Sequence, residues 1–277
     1  MTYCVGALLS GGIIFASDSR TNAGVDNFAT FCKMTVFERA GDRVIVLLSS
    51  GSLAGTQAVV SLLRQRGEAQ PEARPSGAVE RGARGGDGPR TLWEARTMLD
   101  VAMLVTDATR EIEQRDGKYL EKSALAFNAS FIIGGQIGSE PMRLFRTFAE
   151  GNFIEAGADT PFFQTGEAKY GKPILDRVVT SPDTSLAEAA KSVLVSFDST
   201  MRSNLSVGMP IDVLCYRKDA LEVGQRWRFA PGDAYFTALS AQWSQGVRRV
   251  FAELPDLPAP SAAAGSSAPP NSSMVSG

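Results

Sequence analysis

Met1-Thr2-Tyr3-Cys4-Val5-Gly6-Ala7-Leu8-Leu9-Ser10-Gly11-Gly12-Ile13-Ile14-Phe15-Ala16-Ser17-Asp18 decides how the rest of the chain is read. Two apolar runs, at 3–9 and 13–17, are parted by Ser10-Gly11-Gly12, which predicts two antiparallel strands joined by a hairpin. A three-residue loop with Gly last suits a G1 bulge. It pairs Leu9 with Ile13, Cys4 with Asp18 and Thr2 with Arg20. In that register Thr2 and Asp18 are diagonal neighbours on one face, and a slip of one residue would part them. Removal of Met1 would leave Thr2 first in the chain, with a hydroxyl and a free α-amine in one residue, a nucleophile supplied with its own base. Thr after Met is common, and Asp18 at a strand end reads equally well as a turn residue, so the case rests on the downstream residues.

Composition narrows the chemistry. The 277 residues hold 44% hydrophobic and 21% charged residues, ordinary for a globular chain able to bury a sizeable core. A net charge of −2 gives no electrostatic footprint for nucleic acid. No apolar run reaches the roughly 18 residues of a membrane span, and the N-terminus lacks a basic segment followed by an apolar signal core, so a cytoplasmic protein is expected. Cys4, Cys32 and Cys215 are isolated and odd in number, and are expected to be buried free thiols. The sharpest restriction is the count of histidines, which is zero. That excludes Ser-His-Asp and Cys-His catalysis and removes the commonest zinc ligand. Covalent catalysis would have to use Lys, a carboxylate or a terminal amine as base.

Beyond the first hairpin, residues 19–32 read as an ordered polar loop. A second hairpin is predicted over 33–38 and 43–49, its second arm apolar throughout, as in a strand covered on both faces. Ser52 is a good N-cap for a helix over 53–65. Residues 67–90 hold six Gly, three Pro and four Arg, and are expected to form a mobile insertion. Helical spacing predicts a long helix from Thr91 to about Arg115, stopped by Asp116-Gly117. Strands are expected over 126–134, 142–147, 153–155, 211–216 and 226–229, and helices over 168–177, 184–202 and 234–246. The tail 255–277, with five Pro, six Ser and one charge, is expected to be disordered. One domain over 2–250 would hold the rest. Strands, two helices, strands, two helices, strands is not βαβ alternation. It suits an α+β fold, a four-layer αββα sandwich with two antiparallel sheets between helices.

Several of these stretches together resemble a known family. Thr2 at the processed terminus, Phe15-Ala16-Ser17-Asp18-Ser19-Arg20, Lys33 opening the second hairpin and Ser49-Ser50-Gly51-Ser52 entering a helix are similar to proteasome-type β-subunits. The fuller runs Ser17-Asp18-Ser19-Arg20-Thr21-Asn22-Ala23-Gly24-Val25-Asp26 and Thr165-Gly166-Glu167-Ala168-Lys169-Tyr170-Gly171-Lys172-Pro173 resemble the ancestral β-subunit (Anbu) family of bacterial proteasome-like proteins. The likeness covers about residues 2–240, apart from 67–90.

The resemblance implies an N-terminal nucleophile hydrolase fold and a threonine-type peptidase acting on peptide or unfolded protein. It implies a homo-oligomer, ring or open helix, with no cofactor and no metal; a partner ATPase is left open. Thr2 would be the nucleophile and its α-amine the base, whose ordinary pKa near about 7.7–8.0 suits neutral pH. Lys33 would lower the pKa values at Thr2, Asp18 would hold Lys33, and the Gly51 N–H would stabilise the oxyanion. Arg20 would support Asp18. Proteasome subunits carry a supporting Ser where this chain has Thr165-Gly166-Glu167. They carry an Asp and a Ser before the last core strand, where Ser203-Asn204-Leu205-Ser206 stands; Ser206 matches that Ser and the Asp has no counterpart. These departures favour a second reading, a weak or inactive self-assembling scaffold subunit. A third is a small-molecule amidohydrolase on the same fold. Gly166 to Lys172 also satisfies G-x-x-x-x-G-K, but Pro173 stands where a phosphate loop needs Ser or Thr.

Overall fold

The computed structural model describes residues 2–22, 28–68, 90–121 and 127–258. Most of the expected insertion and of the expected tail, residues 69–89 and 259–277, lies outside them. In chain order the elements are β1 (Tyr3–Leu9), β2 (Gly12–Asp18), β3 (Arg20–Asn22), β4 (Phe28–Thr30), β5 (Met34–Arg39), β6 (Arg43–Gly51), α1 (Leu53–Glu68) and α2 (Met98–Glu121). Then come β7 (Ala129–Ile137), β8 (Arg143–Thr147), β9 (Phe153–Glu155), β10 (Phe162–Gly166), α3 (Lys172–Val178), α4 (Leu186–Ser203), β11 (Ile211–Arg217), β12 (Gln225–Phe229) and α5 (Ala234–Ala252).

The opening hairpin forms, with a shorter turn than expected. Leu9 pairs with Gly12 and Cys4 with Ser17. Continuing that register brings Tyr3, not Cys4, against Asp18. Gly12 is the cause. It is the first paired residue of β2, opposite Arg217 of β11, and a Cβ there would lie 2.0 Å from the Tyr216 carbonyl oxygen. The close approach of two strands uses this glycine, leaving Ser10-Gly11 as the turn.

Two five-stranded antiparallel sheets result, ordered β10-β1-β2-β11-β12 and β5-β6-β7-β8-β9. Between them lies a core of Cys4, Phe15, Val46, Leu48, Ile132 and Leu144 with their neighbours. α1 and α2 cover the outer face of the second sheet, packing Val59, Leu63, Val101 and Val105 on Leu47, Phe131 and Phe145. α3 and α4 cover the first, packing Leu175, Val193 and Phe197 on Tyr3, Val5 and Val213. The predicted αββα layering is therefore the fold. Each fully buried Leu, Ile or Phe contributes roughly 1.5–3 kcal/mol, so burial on both faces accounts for why the central strands β1, β2, β6 and β7 are near-continuously apolar. The chain groups into a unit up to Ser240 and a second from Ala241, which starts inside α5. Among the described residues no helix is long and apolar enough to cross a membrane.

Several local expectations differ from what forms. The segment 19–32 is not simply loop: β3 and β4 pair within it, Arg20 opposite Thr30. Strand β10 has no counterpart among the expected strands. Cys32 is exposed; only Cys4 and Cys215 are buried. The long helix begins at Met98, seven residues after Thr91. Thr97 and Asp100 form a reciprocal cap: the Asp100 N–H donates to Thr97 Oγ1 (3.1 Å) and the Thr97 N–H to Asp100 Oδ2 (3.0 Å). Thr91 caps only a turn, accepting from the Glu94 N–H (3.2 Å). The helix also runs through Asp116-Gly117 to Glu121. A helical glycine costs about 1 kcal/mol, less than the burial of the α2 apolar face returns. Thr97→Ala should cost about 1 kcal/mol, read as a lower denaturant midpoint with an unchanged slope.

Candidate active site

Four segments meet at the start of β1. Thr2 precedes the strand and is 8% exposed. Its carbonyl accepts from the Glu167 N–H (2.7 Å). Just before that residue, Gly166 pairs with Tyr3 and has φ +84°, a left-handed conformation. A Cβ on Gly166 would lie 1.9 Å from the Thr2 oxygen. The end of β10 thus clamps the N-terminal strand, and only glycine fits the clamp. Gly166→Ala should destabilise the protein by roughly 1–3 kcal/mol and loosen residue 2. The check is faster amide exchange at Tyr3 together with a lower melting temperature.

Asp18 ends β2 and is fully buried. Its Oδ1 accepts from Lys33 Nζ (2.6 Å) and from the Tyr3 N–H (3.0 Å). Its Oδ2 accepts from the Gly208 N–H (3.3 Å). Lys33, 5% exposed, also donates to the Arg20 carbonyl (2.6 Å). Its own carbonyl accepts from the Ser49 N–H (2.9 Å), which ties it to β6. One carboxylate oxygen therefore joins the Lys33 ammonium to the peptide group that links Thr2 to Tyr3. Burial pushes the Asp18 carboxyl above the usual carboxylate range, while the Lys33 ammonium and the two backbone N–H groups pull the other way.

The expected diagonal contact of Thr2 and Asp18 side chains is replaced by this backbone link, because the register is one residue shorter. Gly51 closes β6 opposite Ala129 with φ +103°. A Cβ there would meet the Asn128 carbonyl oxygen at 2.2 Å, so glycine is required by the strand itself. Arg20 enters through its carbonyl; its guanidinium donates to the Leu205 carbonyl (2.9 Å) and lies where a Gly208 Cβ would be. Ser206 stands in the loop between α4 and β11, its N–H held by Asn204 Oδ1 (2.9 Å).

Four participants have no role assigned from the sequence: Gly166, Glu167, Asn204 and Gly208. Asn204 donates to Glu167 Oε2 (3.0 Å), joining the α4–β11 loop to the residue that holds Thr2. Thr165 bonds Ser50 across the two sheets, oxygen to oxygen 2.6 Å. The segments that depart from the proteasome pattern are thus the ones that brace the terminus. Only the glycine and the polar run 165–167 could have signalled this. Two clefts of about 410 and 370 Å³ open beside Cys32 and Met34, the neighbours of Lys33. Among the described residues no three of His, Cys, Asp and Glu gather as metal ligands.

No protein-family model and no functionally curated protein matches the chain. Solved structures do. The chain is 47% identical to Anbu from Hyphomicrobium sp. strain MC1, with a TM-score of 0.81 over 93% of this chain and 100% of that one. It is 43% identical to Anbu (ancestral beta-subunit) from Yersinia bercovieri, TM-score 0.80, over 92% and 99%. It is 44% identical to the protein in the helical assembly of the Anbu complex from Pseudomonas aeruginosa, TM-score 0.80, over 92% and 98%.

Proposed function

The chain belongs to the ancestral β-subunit (Anbu) family of proteasome-like proteins, and on that footing we propose that it hydrolyses peptide bonds with Thr2 as an N-terminal nucleophile once Met1 is removed. The observation that carries this reading is the single Asp18 oxygen shared by the Lys33 ammonium and the Tyr3 N–H. It supports the reading because a buried cation is joined, through Asp18, to the peptide group that follows residue 2.

The α-amine of Thr2 takes the hydroxyl proton as Oγ1 attacks the substrate carbonyl carbon. The Gly51 N–H donates to the oxygen that becomes anionic, in a site where removal of one such donor typically costs about 10²–10³ in rate. Collapse of the tetrahedral adduct breaks the C–N bond, and the ammonium gives its proton to the departing amine. An ester between Thr2 and the acyl half remains. Water, deprotonated by the same amine, hydrolyses it and restores the hydroxyl. Lys33 favours the neutral amine and the developing alkoxide by its charge, and Asp18 is a positioning residue that fixes Lys33. Arg20 and Ser206 support the loop around Asp18. The substrate is peptide or unfolded protein, and the active species is an assembly of copies of this chain.

A second reading is favoured by the helical assembly of the Pseudomonas aeruginosa relative: a scaffold subunit with little or no peptidase activity. Turnover of fluorogenic peptides beside small amides separates peptidase, amidohydrolase and scaffold. Peptide turnover abolished by Thr2→Ala supports the first, turnover confined to small amides supports the amidohydrolase, and no turnover of either supports the scaffold.

A further inference from the structure

Arg146 has no role in the site above and an unusual environment. It lies on β8 between Ile132 of β7 and Ile154 of β9 in register. It is two residues from Leu144, on the same face, which looks into the core between the sheets. Its Nε is buried with no hydrogen-bond partner among the described residues, and its guanidinium carbon sits 5.0 Å from the centre of the Phe148 ring. Burial lowers its pKa from the ordinary arginine value. Arg43, buried on the helix-covered face of the second sheet, is by contrast satisfied by Asp42 and the carbonyls of Leu92 and Ala95 (2.7, 2.8 and 2.9 Å). Arg146 as a whole is half-buried, and a donor shut away from water without a partner costs free energy.

Arg146 lines a cavity of about 570 Å³. Six consecutive residues, Asp159 to Gln164, form one wall. Three of these belong to β10, which is the edge of its sheet, paired only with β1 among the described residues. Two carboxylates also border the cavity. Asp176 is taken by Lys172 (2.5 Å), and Asp159 is exposed. An open edge strand is a template for an added extended segment, with main-chain bonds giving affinity and side-chain pockets giving selectivity.

We propose that this cavity binds an acidic side chain carried on an extended peptide segment that lies along the open edge of β10, with Arg146 as the ion partner of its carboxylate. Guanidinium and carboxylate pair through two parallel hydrogen bonds, and Arg146 lines the cavity in which such a carboxylate would sit. The proposal is independent of the peptidase reading.

The test is fluorescence polarisation of a tagged, blocked pentapeptide of alternating Val and Glu against its Val and Gln counterpart. The full chain is used with Thr2→Ala, so that hydrolysis plays no part. The Glu peptide should bind about 10-fold tighter than the Gln peptide, and Arg146→Gln should bring that ratio to within about 2-fold. Ile154→Glu places a carboxylate directly opposite Arg146 in the strand pair. It should also erase the preference while raising the melting temperature, so the proposal stays testable if Arg146→Gln unfolds. Equal binding of the two peptides overturns the proposal. So does a preference that survives both variants, or free glutarate or inorganic phosphate binding as tightly as the peptide.

Discussion

Lys33→Met is expected to cost the fold roughly 3–5 kcal/mol and to abolish peptide hydrolysis. The size follows from leaving Asp18, fully buried, with its carboxylate unpaired. The sign with pH is distinctive. Burial already raises the folded-state pKa of Asp18 above its ordinary value, against the pull of Lys33. Without the ammonium it rises further, so the folded variant binds the proton more tightly than the unfolded chain. The variant's extra instability is therefore absent at acid pH, below the unfolded carboxyl value, and grows as pH rises towards the raised folded value. Asp18→Asn added to Lys33→Met removes the buried charge while its amide oxygen still accepts from the Tyr3 N–H. It should recover most of the lost stability and flatten the pH dependence, with no recovery of hydrolysis. Melting temperatures from about pH 4 to 8 for the three proteins check this.

Thr2→Ala is expected to lower peptide hydrolysis by about 10³-fold or more, because nucleophile and base act as one unit and the hydroxyl has no substitute. The fold should barely change, since the contact that anchors residue 2 is its own carbonyl on the Glu167 N–H. Thr2→Ser keeps hydroxyl and amine together and should retain measurable turnover. Steady-state rates on a fluorogenic peptide, with thermal melts beside them, separate the loss of chemistry from loss of structure.

The layered fold was legible because each piece has its own local signal. The first hairpin has two apolar arms about a Gly turn, β6 has an unbroken apolar run, and α1 has a Ser cap at Ser52. The ion pair of Asp18 with Lys33 was also within reach, since both residues stand in a recognisable pattern.

What escaped depends on tertiary contact. Whether Gly12 belongs to the loop or to the strand is decided by the Tyr216 carbonyl, more than 200 residues away in sequence, and that choice moved the register by one. Thr91 and Thr97 both look like helix caps; only Thr97 has Asp100 in place to answer it. Strand β10 is short and half polar, so no periodicity announces it, yet its last residues hold Thr2. The link from Asn204 through Glu167 to Thr2 joins segments that share no motif.

The most direct test of the account is the intact mass of the purified protein before and after treatment with a peptide epoxyketone, which needs both the hydroxyl and the free amine of a terminal threonine. The account predicts a chain lacking Met1 that gains one probe mass, a gain lost in Thr2→Ala. A chain that keeps Met1 in every molecule, or a processed chain that takes up no probe, would contradict it.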